Sequence, residues 1–158
     1  MDKVYTLTTI PPGTSSDKLA AWVFTNEQIP LVWEQIEPFI EKSVEASQGT
    51  ITTRMIYDML CEGSAVAIGT ADGTEIKLVT VLRRIEYANY SAARIIAMAG
   101  TGLREAHRFI EAVEAWAISL DCVELEGWCR PAVTKLLRRL GWKPKFTIVT
   151  RDLRRKLQ

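Results

Sequence analysis

Six residues, Ala99-Gly100-Thr101-Gly102-Leu103-Arg104, follow an apolar stretch from Arg94 to Met98 and lead into a long amphipathic segment. A strand that passes through glycines straight into a helix aims unpaired backbone N–H groups at one point, and such a point suits a phosphate. Met98, Ala99, Gly100, Thr101, Gly102, Leu103 and Arg104 therefore form the candidate anion-binding segment. The positive end of the following helix adds to it. Arg104 can supply a bidentate phosphate contact or stand as an exposed first-turn arginine.

Glu124 and Glu126 alternate with Val123 and Leu125, which places both carboxylates on one face of a short strand. A carboxylate facing a cleft can take a proton from a substrate amine, directly or through water. The same pair can instead be matched by Arg130, Arg138 or Arg139. Glu86, at the end of an earlier strand, is a further acid of this kind. His107 lies one turn into a helix beside its apolar stripe, a place more typical of packing than of catalysis. Cys129 adjoins Arg130, yet no histidine or aspartate is spaced to complete a nucleophilic set. Three cysteines and one histidine do not make a zinc site, and a reducing compartment with free thiols is the expectation.

The elements that must position these groups follow from the hydrophobic pattern. A chain of 158 residues with 47% hydrophobic and 25% charged residues can bury a full core as a single domain over residues 1–158. Its net charge of +1 gives no argument for nucleic acid, although nine Lys/Arg and one acidic residue fall between Lys135 and the end. That basic end is a solvated face or a contact for an anionic partner. It carries no nucleic-acid recognition motif and no aromatic–basic interleaving. No apolar run approaches the ~20 residues that span a bilayer, and the first residues carry no signal-peptide pattern. Location in the cytoplasm is the expectation.

Lys3 to Ile10 reads as a strand, broken by Pro11-Pro12-Gly13, and Ala20 to Phe24 is a short apolar piece of open assignment. Asn26 can cap a helix carrying Ile29, Trp33, Ile36, Ile40 and Val44, with Pro38 expected to kink or split it. Thr52 or Thr53 caps a second helix that Gly63 ends. Ala65 to Gly69, Ile76 to Ile85 and Ala93 to Met98 read as three antiparallel strands, with turns at Asp72-Gly73 and at Tyr87 to Ser91. A third helix runs from about Leu103 to Leu120, and the strand Cys122 to Leu125 pairs parallel through that crossover. Pro131 opens a fourth helix, Gly141 ends it, and Lys145 to Leu153 reads as a last strand. The fold class is α+β, a mixed layout with a mostly antiparallel sheet of six to seven strands flanked by about four helices.

Over nearly the whole chain this order of elements resembles the GNAT (Gcn5-related N-acetyltransferase) fold, with residue-level likeness from Ile95 to Trp142. In that superfamily a Gln/Arg-x-x-Gly-x-Gly/Ala loop between a splayed strand and a helix cradles the pyrophosphate of acetyl-CoA. Here Ala99 to Arg104 falls on that loop, and Gly102 matches its central glycine. Ala99 stands where Gln or Arg is usual, and Arg104 where a small residue is usual. The family's Leu-x-x-x-Leu-Gly-Phe ending is similar to Leu136, Leu140, Gly141 and Trp142. Leu137 takes the place of the tyrosine that commonly protonates the leaving thiolate.

The chain also resembles a narrower group, the GNAT-like proteins encoded by tailed bacteriophages. The likeness rests on the helix near Trp33 to Val44, Trp116-Ala117 before a Cys-Val strand, and the Arg-rich helix before Gly141-Trp142. The resemblance implies two functions. One is an acyl-CoA-dependent N-acyltransferase that uses acetyl-CoA and an amine acceptor. The other is a non-catalytic subunit of a phage particle or its assembly, located in the virion and contacting phage structural proteins or further copies of itself.

Overall fold

The computed structural model describes residues 8–9, 20–72, 75–100 and 106–158. The chain divides into two compact units, residues 1–127 and 128–158. The first unit is built on a six-stranded sheet whose spatial order follows the chain: β1 (Thr8–Thr9), β2 (Ala20–Phe24), β3 (Val66–Asp72), β4 (Glu75–Glu86), β5 (Ser91–Gly100) and β6 (Glu124–Gly127). Every neighbouring pair is antiparallel except β5 and β6, which run parallel. Parallel neighbours need a long return, and helix α3 (Ala106–Ser119) supplies it. Helices α1 (Ile29–Glu45) and α2 (Thr53–Glu62) lie between β2 and β3 in the chain. The expected α+β class and mostly antiparallel sheet are both present, and the short apolar piece Ala20 to Phe24 is a strand.

Two apolar clusters define the layers. Ile29, Val32, Ile36 and Ile40 of α1 and Ile56 and Leu60 of α2 pack with Ala67, Val79, Val81 and Ala97 on one sheet face. Phe109, Ala112, Val113 and Ala117 of α3 pack with Ile68, Leu78, Leu82 and Ala93 on the other. Neighbours along a strand thus serve opposite clusters, as Leu78 and Val79 do, because strand side chains alternate. The sheet is covered on both faces, which explains why Leu78 to Leu82 of β4 is apolar at every position but Thr80.

The helix ends show how much is set locally. Thr52 Oγ1 accepts from the Met55 N–H at 3.1 Å, and Gly63 closes α2 with φ 79°, a left-handed cap that glycine adopts without a Cβ penalty. At α1 the cap position is Gln28 rather than Asn26, without a side-chain cap bond, and Pro30 occupies the first turn, where no amide is needed. Pro38 does not split α1, which runs unbroken over 17 residues. Pro38 and Glu34, whose carbonyl loses its partner, are both exposed, so water can satisfy that oxygen.

The second unit contains α4 (Pro131–Arg139), closed at Gly141 with φ 88°, and a short 3-10 turn at Arg154–Lys156. The expected strand from Lys145 to Leu153 is not formed; residues 142–153 have no regular structure. A strand requires a ladder partner, and this unit contains no other strand to provide one. Among the described residues no helix is long and apolar enough to cross a membrane.

Gly100 illustrates a packing constraint. A Cβ built there would lie 2.6 Å from the Lys77 carbonyl oxygen and against the Leu78 side chain. The crowding comes from β4, which pairs Leu78 with Gly100. Gly100→Ala is expected to lower the unfolding free energy by about 1–3 kcal/mol through this overpacking, measured by urea denaturation. A loss under ~0.5 kcal/mol, the range of a neutral surface change, would contradict the close approach.

Candidate active site

The geometry of the site begins with one extra residue. Leu82 pairs with Ile95 and Val81 pairs with Ala97, so Ile96 is a bulge on β5. Its consequence is visible in the layers. Ile95 and Met98 pack with the α3 cluster, whereas Ile96 and Ala97, consecutive in the chain, both pack with the α1/α2 cluster. A bulge bends its strand and increases its twist. The ladder between β5 and β6 ends at that point, with Ile95 paired to Gly127 as its last rung, while β5 runs on to Gly100 beside β4. Beyond Ile95 no strand pairs with β5 on the β6 side among the described residues. β6 itself ends at Gly127, so from Ile96 to Gly100 β5 runs on past it.

Met98, Ala99 and Gly100 lie on this extension. Met98 pairs with Thr80, Ala99 with Val79 and Gly100 with Leu78. The strand thus continues two residues past the end read from the sequence, and Ala99 and Gly100 belong to it rather than to a loop. Thr101, Gly102, Leu103 and Arg104 lie outside the described residues. The Met98 N–H donates to Ser43 Oγ of α1 at 3.2 Å. Thr80, fully buried, donates its hydroxyl to the Ala97 carbonyl at 3.1 Å and so fixes the strand beside the bulge.

Glu124 and Glu126 are half-buried on β6, opposite Ala92 and Arg94 of β5. Glu126 accepts from Arg94 Nε at 2.6 Å and from the Tyr87 hydroxyl at 2.8 Å, and Arg94 Nη2 donates to the Tyr87 oxygen at 3.1 Å. Tyr87 in turn lies against Tyr90, ring centres 4.9 Å apart. This cluster sits one rung before the β5–β6 ladder ends. Burial works against the Arg94 charge, but hydrogen bonds with Glu126 and Tyr87 outweigh it and raise its pKa above the ordinary value. The Tyr87 phenol is pushed up, first by its hydrogen bond to the Glu126 carboxylate and then by desolvation. A carboxylate has about four lone-pair sites, so these two donors leave Glu126 with acceptor capacity.

The other candidates are less well placed. Glu86 pairs with Arg84 at 3.1 Å on an exposed stretch. Desolvation raises the Cys129 thiol, which favours the neutral form over a nucleophilic thiolate. The His107 side chain lies outside the described residues. Among the described residues no group of three or more His, Cys, Asp or Glu can hold a metal. Ser43, Tyr87 and Arg94 were not singled out from the sequence. Arg94 left a signal there, as a lone charge in the apolar run Ala92-Ala93-Arg94-Ile95-Ile96, where a half-buried guanidinium needs a carboxylate on the adjacent strand. Ser43 left none.

No family model matches the chain, and no curated protein matches it. Solved structures do. An aminoglycoside acetyltransferase from an uncultured soil metagenomic sample, in complex with sisomicin, is similar over 87% of this chain and 98% of its own, with a TM-score of 0.65 and 12% identity. A predicted acetyltransferase of Clostridium acetobutylicum with acetyl-CoA is similar over 85% and 96%, with a TM-score of 0.61 and 12% identity. A GCN5-related N-acetyltransferase of Ralstonia eutropha is similar over 85% and 98%, with a TM-score of 0.61 and 14% identity. The chain thus has the fold of the GNAT acetyltransferases.

The Glu126 cluster is testable by titration. Because folding raises the pKa of Tyr87, its neutral phenol is favoured in the native chain. The stability this contributes is complete below the ordinary tyrosine range and is lost as pH rises through the raised value. In Glu126→Ala the Tyr87 ionisation, followed by phenolate absorbance with Tyr87→Phe as the subtraction, should move to lower pH. An unmoved titration would contradict the pairing.

Proposed function

We propose that the chain is an acyl-CoA-dependent N-acyltransferase that transfers an acyl group, acetyl in the simplest case, to an amine. The observation that carries this reading is the bulged stretch of β5 from Ile96 to Gly100 that runs on past the end of β6, within the fold of the GNAT acetyltransferases. An extended segment without a strand on one side can hold a ligand that carries amides of its own, as the pantetheine arm of acetyl-CoA does. The Met98 N–H fits this use, since its partner is a side-chain hydroxyl rather than a ladder carbonyl. The sequence pattern of Thr101 to Arg104 suits the pyrophosphate, through backbone donors and the helix end.

Acetyl-CoA, when bound, supplies a thioester carbonyl whose carbon the amine attacks, so that a C–N bond forms and the C–S bond breaks. The chain must take a proton from the amine and return one to the departing sulfur. Glu124 and Glu126 lie on β6, paired with Ala92 and Arg94 before the β5–β6 ladder ends, and either can take the amine's proton, directly or through water. Arg94 and Tyr87 fix the Glu126 carboxylate in place. No tyrosine follows Tyr90 in the chain, and Leu137 stands where the resemblance places the proton donor, so the sulfur takes its proton from another group or from water.

That leucine favours a second reading, a non-catalytic subunit of a tailed phage particle or its assembly pathway. Recovery of the chain at fixed stoichiometry in purified particles would support that reading. In calorimetric titrations the wild type is expected to bind acetyl-CoA at millimolar ligand or below, and Gly102→Trp to lose that binding. Absence of heat with the wild type would remove the enzyme reading. Equal binding by Gly102→Trp would show that the phosphates lie elsewhere.

A further inference from the structure

We propose that Ser43 guards the strand amide used by acyl-CoA, and that ligand entry replaces the Ser43 hydroxyl oxygen on the Met98 N–H with an amide or thioester carbonyl oxygen of the ligand. This rests on the acyl-CoA reading above and adds to it a residue outside the strand and the glycine segment. The Met98 N–H is one of the few polar groups placed on the part of β5 that outruns β6, and its partner is not another strand. Ser43 Oγ, in the last turn of α1, takes it at 3.2 Å. The neighbouring Ala97 carbonyl is already satisfied by Thr80, and Ala97 to Gly100 stay paired with β4. The amide of Met98 is therefore held by the one partner that can leave without disturbing the sheet.

Leaving is cheap for a serine. A rotation about χ1 swings the hydroxyl to another staggered position, where it can donate to the carbonyl four residues back in its own helix, that of Phe39. No backbone movement is required. Both oxygens accept equally well from an amide, so the exchange trades one hydrogen bond for another, and the ligand gains only the difference. Without the hydroxyl, the half-buried Met98 amide of the free protein has only water as a substitute. The bound state, in which the ligand carbonyl holds that amide, is unaffected. Removal of the hydroxyl therefore raises the energy of the free protein alone, and acyl-CoA should bind more tightly to a protein that is less stable by itself.

The test is calorimetry with acetyl-CoA on the full chain, with thermal unfolding alongside. Ser43→Ala is expected to melt at a lower temperature than the wild type when free and to bind acetyl-CoA about threefold to tenfold more tightly. Ser43→Thr, which keeps the hydroxyl, should stay within about twofold of the wild type. In the wild type the amide resonance of Met98 should shift on saturation with acetyl-CoA. If the wild type binds acetyl-CoA while Ser43→Ala binds no more tightly, the guarding role is overturned and the acyl-CoA reading stands. A Met98 resonance that does not move on saturation overturns it too, even if Ser43→Ala fails to fold. If the wild type binds no acetyl-CoA, the acyl-CoA reading falls and this inference falls with it.

Discussion

A single inserted residue, Ile96, sets the geometry on which everything else depends. Without it β5 would keep strict alternation. With it, two consecutive side chains face α1 and α2, just where the parallel ladder reaches its last rung at Ile95 and Gly127. The bulge is affordable because each half of β5 is anchored separately. Ala92 and Ala93 sit fully buried beside β6, and Ala97 is locked by the Thr80 hydroxyl and by α1. Small residues at these three positions let the strand lie close to its neighbours while it changes direction.

Around that bulge the polar groups are distributed by what the local dielectric permits. Just before the parallel ladder ends, Arg94, Tyr87 and Glu126 satisfy one another across three segments of the chain. A guanidinium at this depth would be expensive alone, and the carboxylate makes it tolerable. Just after the ladder ends, a backbone amide is satisfied by a helix hydroxyl. The first arrangement is rigid, because three groups hold each other. The second is exchangeable, because one light side chain holds one donor. Acyl transfer needs both kinds of site: a fixed carboxylate to meet an amine, and a donor that can be handed to a carbonyl.

The parts of this fold that were legible in the sequence are those written in local chemistry. Thr52 and Gly63 mark the ends of α2 because capping depends on residues three or four apart. The three antiparallel strands of the middle region are marked by turn residues and apolar runs. The bulge was not legible, since Ile95, Ile96 and Ala97 are all apolar and no glycine marks the slip. The partners Arg94 and Tyr87 of Glu126 were not legible for a related reason: they lie 32 and 39 residues away in the chain and are brought near by parallel pairing across a helical crossover. The strand expected from Lys145 to Leu153 had the right composition, yet strand formation is decided by a partner that composition does not name.

If the outer edge of residues 96–100 receives an acyl-CoA molecule, as proposed, amide hydrogen exchange on the intact protein, with and without saturating acetyl-CoA, reads that edge directly. Slowed exchange should then be concentrated in peptides that cover 96–104, with α2 and the β2–β3 pairing unchanged. Exchange that stays the same across 96–104, or protection found only elsewhere in the chain, would contradict it.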